Sequence, residues 1–327
     1  MKLATLKNGS PDGGLVVVAR DLSQAVDASA IAPTMQLALE DWDSCAPRLD
    51  ALYRALNGGD APDAFAFDTH QAMAPLPRAY QFVDASAFLN HGDIMERAFN
   101  LTVKVPAGVP ILIQRQGDDF RGPCDDYAFP SEADNCDFEG EVAAITGPVT
   151  MGADPARCEA SIRLLALFND VSMRAHLPRE MGMGFGFIQA KPATVFAPVA
   201  VTPDELGPAW REGRVALDLH VSRNGEWFGQ PNGREMDFSF GELIAHLAYN
   251  RNLGAGTVLG TGTFSNRDHN AVGSSCLAER RALEMLEYGE PRTPFIRFGE
   301  RLRFEMFEAS GQSLFGAVDN RYVAAGK

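Results

Sequence analysis

The sequence predicts an α+β protein that is mainly β, with one large domain and a smaller partner in front of it. Three observations carry that expectation. The 31 glycines and 20 prolines are spread along the chain, which favours short strands joined by turns over a helical bundle. Alternating apolar and polar runs are punctuated by hairpin signals such as Asn8-Gly9 and Asn224-Gly225. At 327 residues the chain can bury a substantial core, and the proline-rich stretch 72–77 reads as a linker dividing residues 1–75 from 76–327.

Taken in order, residues 1–33 read as short strands around turns, with Leu15-Val16-Val17-Val18 a β-branched run. The apolar spacing of Met35, Leu39, Trp42, Leu49, Tyr53 and Leu56 predicts a helix over 34–56, broken near Pro47 and stopped by Asn57-Gly58-Gly59. Past the linker, 85–100 reads as a helix carrying His91. Asp84 lies seven residues earlier, two turns away if the helix includes it, or at its N-cap. A capping acid and an ordinary surface histidine is the plainer account of the pair. Residues 105–114 are extended and 117–123 form a turn-rich loop.

Residues 137–145 predict a strand that sets Glu139 and Glu141 side by side on one face, with Asp137 upstream on it. Carboxylates so close either face open water or hold something positive. Asp154-Pro155 opens a predicted helix to Phe168, with Ile162, Leu165 and Phe168 as its apolar stripe. If helix continues, Asp170 and Arg174 share a face; otherwise they make a common surface pair. The glycines of 182–187 lack the spacing of a dinucleotide or phosphate loop. Lys191 stands in apolar company, as a snorkelling lysine does, or one aimed into a pocket. Alternation over 214–221, a helix over 240–249, a strand over 256–263 and a closing pair of strands, 300–307 and 312–318, complete the reading.

Hydrophobic content of 46% with 22% charged residues marks a globular chain. A formal net charge of -14 repels phosphate backbones and anionic lipid, so neither nucleic acid nor a membrane surface is an expected partner. Residues 1–9 have no apolar core of signal-peptide length, and a cytoplasmic protein is expected. Five widely spaced cysteines without a Cys-x-x-Cys pair indicate neither a disulfide framework nor a thiolate zinc site.

Several segments match one pattern in order and spacing. They are Asp84 with His91, Asp137-Phe138-Glu139-Gly140-Glu141, Asn169-Asp170 with Ser172 and Arg174, Lys191 ahead of Thr194 and Pro198, Gly260-Thr261-Gly262-Thr263, and Gly273-Ser274-Ser275-Cys276 with Glu279. Together they resemble the fumarylacetoacetate hydrolase family. The resemblance implies an antiparallel β-roll catalytic domain behind a small SH3-like N-terminal domain, commonly as a homodimer. It also implies Asp84, Glu139, Glu141 and Asp170 as metal ligands, and four hard oxygen donors suit Mg²⁺ or Ca²⁺.

The family's chemistry would make His91 a general base oriented by Glu279, with Lys191 and Arg174 holding developing negative charge and Thr263 a donor to a substrate carboxylate. The implied reaction is hydrolysis of a carbon-carbon bond in a β-diketo or 2-oxo acid, a small anionic substrate. Hydration or decarboxylation of a 2-oxo acid, or ligand binding without turnover, are the alternatives. The chain departs from the family where tyrosines and a glutamine are expected, placing Ser86, Ile113, Leu177 and Met181 there. Lost polar contacts of that kind imply a substrate smaller or more apolar than the namesake.

Overall fold

The computed structural model describes residues 1–100 and 105–326. Among them a ten-stranded mixed sheet forms the spine, and a five-stranded sheet packs beside it. The spine runs from Phe65–Ala66 through Gln24–Asp27, Gly14–Val18 and Lys2–Leu6 to Val195–Val201, Ile162–Asn169 and Gly140–Thr146. Thr257–Gly260, Phe82–Ala85 and Leu112–Arg115 complete it. Sheet-rich α+β architecture is therefore what the chain adopts.

Two details refine that expectation. The sheet is not purely antiparallel, because Thr257–Gly260 runs parallel to Phe82–Ala85. The N-terminal strands also continue the central sheet, Lys2–Leu6 pairing antiparallel with Val195–Val201.

The spine is covered on both faces, and its alternation assigns side chains to two cores. Val142 and Ala144 point to a core shared with Leu302, Phe304 and Tyr322 of the five-stranded sheet. Ala143 and Ile145 point to the other, against Leu49, Tyr53 and Leu56 of the helix Trp42–Gly58. A strand with two buried faces reads as a continuous apolar run. That explains one correction: the helix opened by Asp154 stops at Ala160, and Ile162–Asn169 is a central strand. Periodicity does not separate a doubly buried strand from a buried helix.

The predicted first helix is two, Met35–Glu40 and Trp42–Gly58, divided at the non-helical Asp41 rather than at Pro47. Pro47 removes one hydrogen bond, but Cys45, Leu49, Tyr53 and Leu56 are buried along the helix and hold it. The closing strand Arg301–Met306 pairs with Val318–Ala324, later than the 312–318 segment expected. Leu277–Tyr288 forms a helix that the sequence reading leaves unassigned. Among the described residues, no helix is long and apolar enough to cross a membrane. All five cysteines are free.

Candidate active site

Asp84 stands on the strand Phe82–Ala85, and His91 on the separate helix Leu89–Phe99, whose N-cap is Phe88. The one-helix and N-cap readings of Asp84 are thus both corrected: Phe82 and Val83 pair in register with Val258 and Leu259, which draws the segment into the sheet. In that register Asp84 is beside Gly260, and on its other side Gly260 faces Ala143 of the strand that carries Glu141. A side chain at Gly260 would collide with Asp84 Oδ1 and press on Glu141 Oε2, so the missing Cβ is what lets these acids converge. Asp170 follows the strand Ile162–Asn169 and donates its backbone N–H to the Glu139 carbonyl at 2.9 Å.

Asp84, Glu141 and Asp170 each offer a carboxylate oxygen, and the three oxygens lie within 4.8 Å of one another, all on buried residues. Glu141 Oε2 accepts from the backbone N–H of Gly262 at 2.8 Å. Asp84 Oδ1 and Glu141 Oε1, however, are buried without a hydrogen-bond partner. Burial, then the charge of Asp170, pushes the Asp84 carboxyl up to about 7. Burial and the neighbouring Asp84 raise Glu141 well above the ordinary range. Such groups need either a proton or a cation.

Glu139 meets a different environment, between the strands Cys136–Asp137 and Gly140–Thr146 and in an antiparallel bridge with Cys276. Arg174 Nη2 donates to its Oε1 at 2.6 Å, and Lys191 Nζ donates to its Oε2. Burial opposes its ionisation, yet Arg174 and Lys191 outweigh burial and hold its carboxyl well below the usual range. Lys191 Nζ also donates to Asp170 Oδ2 at 2.5 Å, so it bridges the two halves of the acid cluster. Against burial, Asp170 and Glu139 raise the Lys191 ammonium, which keeps its charge. Lys191 is therefore aimed inward, and Asp170 and Arg174 are neither a helix face nor a surface pair.

Two further residues hold this arrangement. The buried Arg115 donates to Asp170 Oδ1, to the Lys191 carbonyl at 3.1 Å and to Thr194 Oγ1 at 3.3 Å. Asp137 is fully buried; it accepts from Arg174 Nε at 2.8 Å and from the backbone N–H groups of Leu277 and Ala278 at 2.7 and 2.9 Å. It thereby caps the helix Leu277–Tyr288, which presents Glu279. Glu279 Oε2 lies 2.9 Å from His91 Nδ1. Cys276 assists, its sulfur accepting from the Glu279 N–H at 3.2 Å. Neither Arg115 nor the capping role of Asp137 was found from sequence, because their partners lie 55 and about 140 positions away.

A cavity of about 560 Å³ opens onto this floor. Asp84, Glu139, Glu141, His91, Arg174, Lys191 and Thr263 line it; the predicted Asp170 and Glu279 do not, and bond instead to Lys191 and His91. The four departures, Ser86, Ile113, Leu177 and Met181, line it too. One wall follows the short helix Leu177–Met183. There the Glu180 carboxylate accepts three backbone N–H bonds, from Ile188, Gln189 and Ala190, at 2.9 to 3.0 Å. Burial opposes its charge, but these amides keep Glu180 below its ordinary range.

The match to known families decides what this pocket belongs to. Residues 1–78 match the model described as fumarylacetoacetase N-terminal domain 2, and residues 82–323 match the fumarylacetoacetate (FAA) hydrolase C-terminal model. The chain belongs to the fumarylacetoacetate hydrolase family. Within the family it is 26% identical over 157 residues to the 2,4-didehydro-3-deoxy-L-rhamnonate hydrolase of Sphingomonas sp. (strain SKA58), which is 47% of this chain and 52% of that protein. The match spans about half the length of the curated relatives.

Two solved structures align over their whole length. One is the maleylpyruvate hydrolase from Sphingobium sp. SYK-6 in complex with manganese (II) ion and pyruvate, with TM-score 0.66 at 18% identity and full coverage of both chains. The other is the 5-carboxymethyl-2-hydroxymuconate delta-isomerase from Mycobacterium smegmatis, with TM-score 0.61 at 19% identity and the same coverage. At such identities the likeness is one of fold. This fold of the fumarylacetoacetate hydrolase family thus serves hydrolases and isomerases alike.

The residues present fit a divalent cation. Five acids, Asp84, Asp137, Glu139, Glu141 and Asp170, face three cations, Arg115, Arg174 and Lys191. The two orphaned oxygens belong to the acids that no cation reaches. Hard carboxylate donors without thiolate or imidazole suit Mg²⁺, Ca²⁺ or Mn²⁺.

Proposed function

We propose that the chain is a divalent-metal-dependent hydrolase that cleaves a carbon-carbon bond in a β-diketo or 2-oxo acid of the acylpyruvate kind. One observation supports this most: the carboxylates of Asp84 and Glu141, which no cation reaches, converge with that of Asp170 on a cavity that His91, paired with Glu279, also lines. Asp84, Glu141 and Asp170 would hold the cation, with Glu139 reaching the same centre through Lys191. When bound, a divalent ion supplies Lewis-acid polarisation of the substrate's oxo group.

The rest falls to the chain's own side chains. With Nδ1–H donating to Glu279, His91 keeps Nε2 free to take a proton from water. The hydroxide so formed adds to the carbonyl remote from the substrate carboxylate. The carbon-carbon bond then breaks with its electron pair going to the methylene carbon, which takes a proton. A carboxylic acid and pyruvate leave. Lys191 and Arg174, both with protons firmly held, stabilise negative charge on the departing oxo acid, and Thr263 donates to its carboxylate. The reading includes a homodimeric assembly, which light scattering on the purified protein would check.

Acylpyruvates and fumarylacetoacetate, assayed with and without chelator, test the proposal. Turnover should vanish with EDTA, return with Mg²⁺ or Mn²⁺, and fall at least about a hundredfold in His91→Ala. Activity indifferent to both changes would sink it. Hydratase, isomerase or decarboxylase chemistry would show in the products, and a silent binding protein would give stabilisation by ligand without product.

A further inference from the structure

The cavity has two unlike ends. Its floor carries every cation that lines it among the described residues, namely Arg174, Lys191 and His91 when protonated. Arg174 and Lys191 are already engaged by Asp137, Glu139 and Asp170. Toward solvent the wall turns apolar, with Leu89, Val109, Ile111, Ile113, Leu177 and Met181. Burial gives the direction: Asp84, Glu141 and Lys191 are 5% exposed or less, whereas Leu89 and Met181 are 48% and 38% exposed. The exposed Asp93 also lines this outer part.

From this we infer, building on the hydrolase reading, that the substrate is a monocarboxylate: an α-oxo acid head seated on the floor and an uncharged, apolar tail along the outer wall. A second carboxylate on that tail would lose water against Ile113, Leu177 and Met181. It would find no lining cation among the described residues and would approach Asp93. Burying an unpaired charge is costly, whereas burying methylenes is favourable. For an acylpyruvate, water and substrate would give pyruvate and an aliphatic or aryl carboxylic acid, with no other reactant. Ile113, Leu177 and Met181 are the residues that set the choice of tail.

Two arms test this and separate it from the hydrolase reading. In the first, Mn²⁺-loaded protein is assayed with acylpyruvates of increasing alkyl tail and with fumarylpyruvate and maleylpyruvate. The expected kcat/KM rises about three- to fourfold per added methylene until the cavity is filled, and the diacids fall at least about a hundredfold below a monoacid of equal length. In the second, calorimetry measures binding of uncleavable 2-oxo acids, from 2-oxobutyrate to 2-oxooctanoate, against the diacid 2-oxosuberate. Tighter binding with tail length and weak binding of the diacid support the inference even if nothing is cleaved, a result that would remove the hydrolase reading alone. Equal or tighter binding of 2-oxosuberate overturns the inference, whatever is turned over. Met181→Lys, at a partly exposed position where folding is safe, should raise the diacid-to-monoacid ratio about tenfold; an unchanged ratio counts against the tail path.

Discussion

Glu139 and Glu141 are separated by one glycine, both are buried, and their surroundings are opposites. The Glu139 half of the floor is compensated: Arg174 and Lys191 reach its carboxylate, and Asp137 braces Arg174 from behind. In the Glu141 half, acid meets acid, and two oxygens have no partner. Burial alone therefore says little about what a carboxylate does. A buried acid met by cations keeps its charge, and one without them needs a proton or a positive ion.

Removing one acid from each half sharpens the contrast most. Glu141→Ala should abolish metal binding and lower turnover by roughly a thousandfold or more. The metal-free variant should melt no lower than the parent, because repulsion with Asp84 and Asp170 goes with the side chain. Glu139→Ala should do the reverse to stability, costing about 3 kcal/mol because Lys191 and Arg174 each lose a buried partner. Thermal melts of both variants, with and without Mn²⁺, check the pair. Equal melting losses in the metal-free proteins would erase the distinction.

A second way to break the comparison is pH. In the metal-free protein the Asp84 carboxyl holds its proton up to about 7, against an ordinary 3.8, and Glu141 is raised as well. The folded state thus binds more protons than the unfolded chain over that window, and stability falls as pH rises through it. Glu139 has the opposite sign: its contribution is complete above the ordinary carboxylate range and is lost only as pH falls through its depressed folded value. Melting temperature without metal should therefore drop between pH 5 and pH 8. Added Mn²⁺ should raise it more at pH 8 than at pH 5, since the ion replaces protons.

The smallest effect is expected at Arg115, which touches Asp170 and Lys191 but does not line the cavity. Arg115→Lys keeps the charge and loses the fork that holds both partners, so metal affinity should weaken about tenfold. Titration of Mn²⁺ into both proteins measures this, and an unchanged affinity would assign Arg115 to packing alone.

How much of this was legible in the sequence depended on the range of the contact involved. Local signals served well. The hairpin at Asn224-Gly225, the helix start at Asp154-Pro155 and the helix Phe240–Leu247 with its Ser239 and Glu242 capping box are all written in adjacent residues. Ile162–Asn169 misled because both its faces are buried, which erases the alternation that marks a strand. Asp84 misled for a related reason: only its pairing beside Gly260, far along the chain, takes it out of the following helix. The grouping of distant acids came from spacing shared with a family rather than from periodicity. Asp137 read as a strand-opening residue, because nothing near it announces the helix it caps.

The Glu180 staple has a consequence for how this protein can change. The wall at Leu177 and Met181 leads into a segment fastened by one carboxylate to three amides at 188–190, and Gly184 and Gly186 within it adopt left-handed backbone that few other residues tolerate. The staple ends at Ala190, the residue before Lys191, and the Leu177 N–H donates to the Arg174 carbonyl at 3.4 Å, so the wall is tied to the floor at both ends. Selection, or an engineer, can therefore redraw what the wall accepts by exchanging the side chains at Leu177 and Met181, whereas a shift of its backbone would move Lys191 and Arg174 with it.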